Sequence, residues 1–419
     1  QEPQRPALAA SRQDRPLKGM QILDLSMGWA GPLATRQLAD LGAKILKIEA
    51  CAYPDWFRPT VTDLPRPHER SPNFAAMNRG KFGAALDIYT PQGAEKIRAL
   101  IGTVDAVVEN FAADVMPKLG LSYPEVRALN SSIVMLSMPA FSGYGAWRSV
   151  RAYGSTLEHA SGLPSVTGRP DQPPILNHIA YGDPTGGLNG AAALMTALLH
   201  RKRTGEGQHV DLSQVLAMLP LAAPWVIEQS ITGRVERRGN RHPRFVPQGI
   251  FQCAGDDEWI VVTVTSDDAW RNLCLTIGRD DLAEDCGLLT ASQRRAREDE
   301  IEEAIQLWTA ERDADRIMHM LQAAGVSAGV ARSPLDIYTD PHLEARDYWQ
   351  SVDREWSGLQ PIMSAPFREE GATYPIERAA PTLGQHNHMI LCEHLGLSAA
   401  ELDHLLELGI SGTQVPGSP

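Results

Sequence analysis

The stretch ILNHIAYGDPTGGLNGAAALMTALLHRKRTGEGQ, residues 175–208, joins a polar turn to a helix rich in small residues. Asp183 lies in the turn between Gly182 and Pro184, and Gly205 follows a basic group that ends the helix. Glycines and alanines in the first half let another backbone approach closely, and leucines farther along recur at helical spacing. The pattern predicts a helix packed tightly against the rest of the fold.

Asp183 has two interpretations at the start of this helix. A carboxylate there caps free amide groups of the first turn and meets the positive end of the helix dipole. The same place suits a nucleophile at the mouth of a ligand site. The stretch alone favours the cap, so the surroundings of Asp183 must decide between the two.

The composition is that of a soluble globular enzyme, with 43% hydrophobic and 21% charged residues. A chain of 419 residues predicts two domains. The net charge of -12 argues against nucleic-acid binding, because a phosphate backbone would meet a repulsive field. An anionic ligand therefore needs a local cluster of Lys and Arg.

The five cysteines lack CxxC spacing, which argues against a disulfide framework and a zinc site.

No segment is predicted to cross a membrane. The best apolar run, residues 215–227, is interrupted by Pro220 and Pro224. Residues 1–16 lack the apolar core of a signal peptide, so we expect a flexible tail. Together with cysteines interpreted as reduced thiols, these features predict a cytoplasmic protein without a membrane partner.

Residues 20–49 predict a strand, a helix and a second strand. Gly28, Gly31 and Glu49 resemble the fingerprint of a dinucleotide site. The third glycine is missing, however, and Pro32 stands where the helix would offer amide groups to a pyrophosphate. The unit is therefore predicted to bind another ligand, and an NAD-dependent dehydrogenase stays an outside alternative.

Strands and helices alternate up to residue 215, which predicts a parallel sheet with a ligand at the carboxyl ends of its strands. From residue 240 a hairpin and three helices follow each other, so the class changes to α+β. The expected domains are a tail at 1–16, a large Rossmann-like domain at 17–215, a linker at 216–239, a small α+β domain at 240–335, and a return segment with C-terminal helices at 336–419.

Eight groups of residues, in this order and spacing, resemble the family III CoA-transferases, also called the CaiB/BaiF family. That family includes formyl-CoA transferase and carnitine CoA-transferase. The resemblance covers nearly the whole chain, from Leu17 to Leu405. The groups are LKGMQILDLSMGWAGPLATRQLADLGAKILKIE (17–49), NRGKFGAALD (78–87), VVENF (107–111), KLGLSY (118–123), ALN (128–130), GDPTGG (182–187), HRKRTGEGQHVDLS (200–213) and TLGQHN (382–387).

The resemblance implies an α/β fold whose large domain is built from both chain ends, and an interlinked homodimer; a heteromeric partner stays open. It implies transfer of CoA from an acyl-CoA to a small carboxylic acid, with Asp183 as the catalytic aspartate. Asp183 would attack the thioester, giving a mixed anhydride and then an aspartyl-CoA thioester. Backbone amides of residues 182–187 are candidate oxyanion donors. No permanently bound cofactor and no metal is implied, since coenzyme A is a substrate.

The resemblance also assigns binding residues. CoA contacts fall on Trp29, Ala30, Lys81, Asn110, Phe111, Lys118 and Arg151, and substrate contacts on Tyr153 and Gly182. Without the resemblance, Lys81 and Lys118 would be interpreted as solvated lysines. Arg36 and Lys47 are interpreted as surface charges.

The chain departs from formyl-CoA transferase at two positions that assist chemistry there. It has Trp29 where that enzyme has glutamine, and Gly154 where that enzyme has glutamate. These departures indicate a bulkier acyl group than formyl or oxalyl. Trp29, Trp56 and the arginine-rich loop favour succinyl-CoA as the donor and an aromatic or branched dicarboxylic acid as the acceptor. Arg58, or an arginine in the linker, would clamp the second carboxylate of the dicarboxylic acid.

Two further alternatives remain. An α-methylacyl-CoA racemase on the same fold needs an acid-base pair on opposite faces of its substrate. Its histidine would align with Tyr153 and its glutamate with a position near Ser266, and neither residue has the required function. A CoA-binding subunit of a heteromeric transferase is disfavoured by Asp183, because a silent subunit has no need for that carboxylate.

Overall fold

The computed structural model describes residues 15–60, 62–176, 179–369 and 372–417. These residues form two compact units. The first unit takes the described residues of Gln1–Gly162, Asn177–Pro224 and Pro341–Pro419, and the second takes those of Leu163–Leu176 and Trp225–Asp340. The second unit thus begins earlier than residue 240 and includes a segment that precedes Asp183. Residues 1–14 of the expected tail lie outside the described residues.

A six-stranded parallel sheet forms the centre of the first unit, in the order β3-β2-β1-β4-β5-β6. Its strands are β1 Gln21–Asp24, β2 Lys44–Glu49, β3 Phe82–Ala85, β4 Ala106–Glu109, β5 Val134–Ser137 and β6 His209–Asp211. The predicted α/β class with a parallel sheet is confirmed. The strand order reverses between β1 and β4, and in such sheets a ligand crevice opens at the carboxyl ends of the strands at that point.

Helices cover both faces of this sheet. The helices up to residue 232 are α1 Ala30–Asp40, α2 Pro72–Asn78, α3 Pro91–Ile101, α4 Val115–Lys118, α5 Tyr123–Leu129, α6 Gly154–Ala160, α7 Leu163–Val166, α8 Gly182–Thr204 and α9 Gln214–Thr232, with a 3₁₀ turn at Pro67–Glu69. Of these, α7 and the part of α9 from Trp225 onward belong to the second unit. Ile22 of β1 belongs to an apolar cluster with α1 and α8. Its neighbour Leu23 points to the opposite face, into a cluster with α3 and α5.

The small residues of α8 lie directly against α1 and β5, as predicted. A Cβ atom on Gly187 would lie 2.7 Å from the carbonyl oxygen of Ala30. A Cβ atom on Gly190 would lie 2.9 Å from the sulfur of Met138. Only glycine allows this approach, so the packing fixes the first turn of α8, which carries Asp183, beside the start of α1.

The second unit has a three-stranded antiparallel sheet of β7 Gln248–Gln252, β8 Trp259–Thr263 and β9 Ser327–Val330, in that order. The predicted hairpin is confirmed as β7 and β8, and the unit has its own apolar core around Trp270 and Ile305. The helices that follow β8 in this unit are α10 Asp267–Ile277, α11 Asp280–Glu284, α12 Ala291–Arg295, α13 Glu298–Thr309, α14 Ala314–Ala323 and, after β9, α15 Pro334–Tyr338.

Helix α9 continues through Pro220 and Pro224, so the predicted interruption of this apolar run is wrong. A proline removes one N–H group and crowds an earlier carbonyl, which bends a helix without always ending it. Within the described ranges, α9 is the one helix long and apolar enough to cross a membrane, with a mean hydropathy of 1.3. One such helix is weak evidence for a membrane protein, because core helices of soluble proteins meet the same criterion.

The C-terminal segment returns to the first unit. Its elements are α16 Pro341–Ala345, β10 Trp349–Arg354, β11 Gly358–Met363, β12 Arg368–Glu369, β13 Ala372–Thr373, a π-helix at His388–His394 and α17 Ala399–Glu407. The TLGQHN turn pairs with the outer strand β3: the His386 N–H donates to the carbonyl of Gly83 at 2.8 Å, and the Asn387 side chain accepts from the Ala85 N–H at 2.8 Å. This late motif therefore covers a sheet edge.

Candidate active site

Asp183 is the second residue of α8, and its carboxylate is held by two other segments. The main-chain N–H groups of Ala30 and Gly154 donate hydrogen bonds to it. These residues are the first of α1 and α6, so the carboxylate meets the positive ends of both helices. A Cβ atom on Gly154 would lie 2.0 Å from Oδ2 of Asp183. Only glycine at position 154 therefore admits the carboxylate in this position.

The interpretation of Asp183 as a helix cap is wrong. Tyr181 occupies the N-cap position of α8, and no side chain caps that helix. Two amides proposed as oxyanion donors are also occupied within the chain. The Asp183 N–H donates to the carbonyl of Ala180 at 3.0 Å, and the Thr185 N–H donates to that of Tyr181 at 3.2 Å. These two N–H groups are therefore not available as oxyanion donors in this conformation.

Burial gives the Asp183 carboxyl an unusual pKa. Removal from water raises the pKa from 3.8 to about 6, and the hydrogen bonds from Gly154 and Ala30 moderate the rise. The residue is 9% exposed. At neutral pH the carboxylate is mostly ionised but poorly solvated, which favours its attack on a carbonyl carbon.

A cavity of about 540 Å³ opens onto Asp183. The structure brings together in its lining six residues that the sequence singled out: Asp183, Asn110, Phe111, Arg151, Tyr153 and Trp56. Ala30 contributes the N–H group described above, and Gly182 is the chain neighbour of Asp183. The cavity thus lies where β1 and β4 end, at the reversal of the strand order.

Asn110 fastens the loop that follows β1 to the end of β4. Its side-chain oxygen accepts from the Met27 N–H at 2.9 Å, and its side-chain nitrogen donates to the Met27 carbonyl at 2.8 Å. Two hydrogen bonds to one residue fix the loop as a backbone pairing would. Asn110 therefore shapes the cavity as well as lining it.

Most of this arrangement lies within a stretch that matches a known family. The model of CoA-transferase family III matches residues 17–387. The chain belongs to CoA-transferase family III. As a family III chain it is an enzyme of the transferase class.

Relatives of this family III chain are similar over nearly their whole length. The succinyl-CoA–D-citramalate CoA-transferase of Chloroflexus aurantiacus is 30% identical, over 94% of this chain and 98% of the relative. The succinate–glutarate CoA-transferase of Agrobacterium fabrum is also 30% identical, over 90% of this chain and 95% of the relative. The crystal structure of a CaiB/BaiF family protein from Brucella suis gives a TM-score of 0.82 at 29% identity, covering 91% of this chain and 100% of that chain.

Arg151 and Trp29 differ in their access to the cavity of the family III chain. Arg151 is exposed and is the one cation among the described residues that line the cavity. Its guanidinium is therefore available to an anionic ligand. Trp29 is half-buried and lies outside this lining, with its ring 6.1 Å from that of Phe57. Trp29 occupies the N-cap position of α1, and its role as a CoA contact remains a proposal.

Arg58 cannot clamp a substrate carboxylate in this conformation, which corrects the expected role. Its guanidinium is fully buried and forms ion pairs of 2.8 Å with both Glu49 and Glu69. It also donates to the carbonyl of Pro381 at 3.1 Å. Glu49, Glu69 and Pro381, which lie in three different segments, enclose Arg58. The composition of its loop therefore could not predict that Arg58 is buried.

Lys81 is buried in a second charged cluster, away from the cavity lining. Its ammonium group contacts Asp24 and Asn78 at 2.9 Å and the carbonyl of Pro32 at 3.0 Å, which uses all three donors. Burial raises the pKa of Asp24, but Lys81 and Lys47 outweigh burial and hold that pKa at about 2. Lys47 is therefore not a surface charge, and the buried Arg36 is not one either.

Lys118 lies on the surface, where its side chain is 72% exposed and pairs with Asp114. It is outside the lining of the cavity. The resemblance placed Lys118 among the CoA contacts. From its surface position, Lys118 could contact only a part of CoA that extends outside the cavity. Its role as a CoA contact remains a proposal.

Several lining residues were missed from the sequence. Trp56 was taken from the sequence as support for a bulky acyl group but was not assigned to the site, and Gln214 was not singled out. The Gln214 side chain donates to the carbonyl of Met138 at 2.7 Å, which fixes it at the end of β5. The loop length was the one available signal for Trp56. The other lining residues that were not singled out from the sequence are Met27, Tyr89, Ala112, Val115, Ala140, Val150, Ala152 and Thr156.

Proposed function

We propose that the protein transfers CoA from an acyl-CoA to a carboxylic acid, with Asp183 as the covalent nucleophile. One observation carries this proposal: a carboxylate with a pKa near 6 faces a cavity and is oriented by two amides. The names of the relatives support it, since both describe transfer of CoA between carboxylic acids.

The proposed reaction begins when a carboxylate oxygen of Asp183 attacks the thioester carbonyl. The carbon–sulfur bond breaks, CoA leaves as a thiolate, and a mixed anhydride remains. The thiolate then attacks the Asp183 carbonyl carbon, which releases the donor acid and leaves an aspartyl-CoA thioester. The acceptor carboxylate repeats these two steps in reverse. A serine would give a stable ester, so the chemistry requires a carboxylate.

Binding of CoA is proposed to use the lining beyond Asp183. Arg151 would meet the phosphates, and Asn110 with Phe111 would flank the arm that carries the thiol. The N-terminus of α1 is less suited to a pyrophosphate, because the N–H of Ala30 already binds Asp183. This occupation also disfavours the dinucleotide site of a dehydrogenase.

Succinyl-CoA is the proposed donor, and a branched or aromatic dicarboxylic acid the proposed acceptor. The names of the Chloroflexus and Agrobacterium relatives include succinyl-CoA and succinate. Because Arg58 is occupied by Glu49 and Glu69, the cation for a second carboxylate must come from another residue.

The proposed assembly is a homodimer with interlinked subunits. Helix α9 supports it, because most of its apolar side chains are exposed in the single chain. A second copy of this chain would cover them. The exposed residues are Leu216, Leu219, Leu221, Val226, Ile227 and Ile231. Light scattering should give a mass of twice 45.8 kDa, and a monomer at micromolar concentration would contradict the assembly.

An isotope experiment tests the proposed reaction. The enzyme receives succinyl-CoA and an acceptor acid labelled with oxygen-18 in its carboxylate. One labelled oxygen should stay on Asp183 after each turnover and appear in succinate released later. Asp183→Ala should produce no new acyl-CoA.

Other outcomes would overturn the proposal. Transfer with no label in succinate would exclude the anhydride on Asp183. Full activity in Asp183→Ala would leave this chain as a CoA-binding subunit. Exchange of an α-proton of a 2-methylacyl-CoA for deuterium, without CoA transfer, would identify an isomerase.

A further inference from the structure

Trp56 and Tyr153 form an aromatic wall in the cavity that holds Asp183. Their ring centroids are 5.5 Å apart and the rings meet edge to face at 72°. Both line the cavity, and Tyr153 directly precedes Gly154, whose N–H binds the nucleophile. We propose that this aromatic wall selects acids with an apolar branch or ring beside the reacting carboxyl group. The inference rests on the proposed function and names its substrate class.

The loop around Trp56 holds the indole in place. A Cβ atom on Gly28 would lie 1.9 Å from the indole ring, so the ring lies directly against that glycine. Asp55 accepts from the Gly28 N–H at 2.8 Å and from the Phe57 N–H at 2.9 Å. Its other oxygen pairs with the buried Lys47 at 3.0 Å. These contacts fix the residues on both sides of Trp56, so the wall is formed before substrate binds.

The wall presents aromatic surface that no other part of the described chain covers. Trp56 is 44% exposed and Tyr153 is 68% exposed, although both lie in a cavity. An apolar group placed against them would remove this surface from water, which favours its binding. The reacting carbonyl must reach the Asp183 carboxylate, so the substituent next to it lies beside Gly154 and Tyr153. An unbranched acid leaves the same rings uncovered.

The test compares three acceptors of equal charge: succinate, methylsuccinate and phenylsuccinate. The three acids carry deuterium, so that transfer from unlabelled succinyl-CoA to succinate is detected by the mass of the new acyl-CoA. The kcat/KM of each acid is measured for wild type, Trp56→Phe and Trp56→Ala. The ratio of phenylsuccinate to succinate should fall about 10-fold or more in Trp56→Ala and less in Trp56→Phe. Trp147→Ala is the matched control, since Trp147 is exposed, packs on Phe141 and lies outside the described lining.

Each other result has a distinct meaning. An unchanged ratio in Trp56→Ala would overturn the aromatic wall and leave the proposed function intact. An equal loss for all three acids, with a higher KM for the donor, would also overturn it and assign Trp56 to the CoA arm. If wild type transferred CoA to no acid from any donor, the result would contradict the proposed function, and the proposal of the aromatic wall would then have no basis.

Discussion

Gly154 touches the carboxylate of Asp183 so closely that a Cβ atom on residue 154 would lie 2.0 Å from Oδ2. The Gly154 N–H also donates a hydrogen bond to this carboxylate. One residue therefore leaves room for the nucleophile and orients it. Any larger side chain must displace the carboxylate or the start of α6.

Gly154→Ala should lower kcat by about 100-fold, because a displacement of about 1 Å at the reacting group costs that much. The KM for acyl-CoA should change little, since the lining farther from Asp183 is intact. Gly329→Ala is the control, because a Cβ atom there meets nothing within 4 Å. Wild-type kcat in Gly154→Ala would show that the close contact does not position the nucleophile.

The pH dependence of the first half-reaction should report the ionisation of Asp183. Burial raises its pKa to about 6, and only the ionised carboxylate attacks. The rate of enzyme acylation should therefore fall as the pH drops through about 6 and stay level above about 7. A rate that stays constant down to about pH 5 would contradict this assignment.

Glu109 requires a control in that experiment. Burial raises its pKa to about 7, and its carboxylate accepts from the Phe111 N–H at 2.8 Å at the edge of the cavity. Glu109→Gln keeps an acceptor oxygen but removes the titration. The inflection near pH 6 should remain in this variant if it belongs to Asp183.

Lys81→Met should lower stability and leave binding intact. The substitution leaves the buried Asp24 without its ion-pair partner, and breaking such a pair costs about 3 to 5 kcal/mol. Denaturant unfolding measures this loss, with the exposed Lys118→Met as a control that should cost less than about 0.5 kcal/mol. Unchanged stability with a raised KM for acyl-CoA would instead make Lys81 a ligand contact.

Arg151→Ala should raise the KM for acyl-CoA about 10-fold or more, because a hydrogen bond to a charged group contributes about 1.5 to 3 kcal/mol. Its effect should shrink at high salt, where exposed charges are screened. Arg148→Ala provides the comparison, since Arg148 is exposed on the same segment but outside the described lining. Equal KM values for both variants would remove Arg151 from the CoA site.

Much of the fold could be predicted because buried parallel strands are short apolar runs with clear ends. The run at residues 20–25 became β1 Gln21–Asp24, and the run at 104–108 became β4 Ala106–Glu109. Asp183 and Asn110 could be placed because each stands in a motif next to such an element. The position of a residue in the order of elements therefore predicted most of the named residues that line the cavity.

The burial of charged residues could not be predicted in the same way. Arg58 meets the carbonyl of Pro381, and Lys81 meets Asp24, through contacts between distant segments. A charge in the sequence shows nothing about whether such partners enclose it. The position of Trp56 could not be predicted either, because the contact of its indole ring with Gly28 depends on how two loops pack against each other.

The most direct measurement is an intact-protein mass spectrum after incubation with succinyl-CoA, with hydroxylamine added to a second sample. Wild type should gain the mass of CoA through a thioester at Asp183, and hydroxylamine should remove it. Asp183→Ala should show no adduct while still binding acyl-CoA. No adduct on wild type under conditions of rapid CoA transfer, or the same adduct on Asp183→Ala, would contradict covalent catalysis by Asp183.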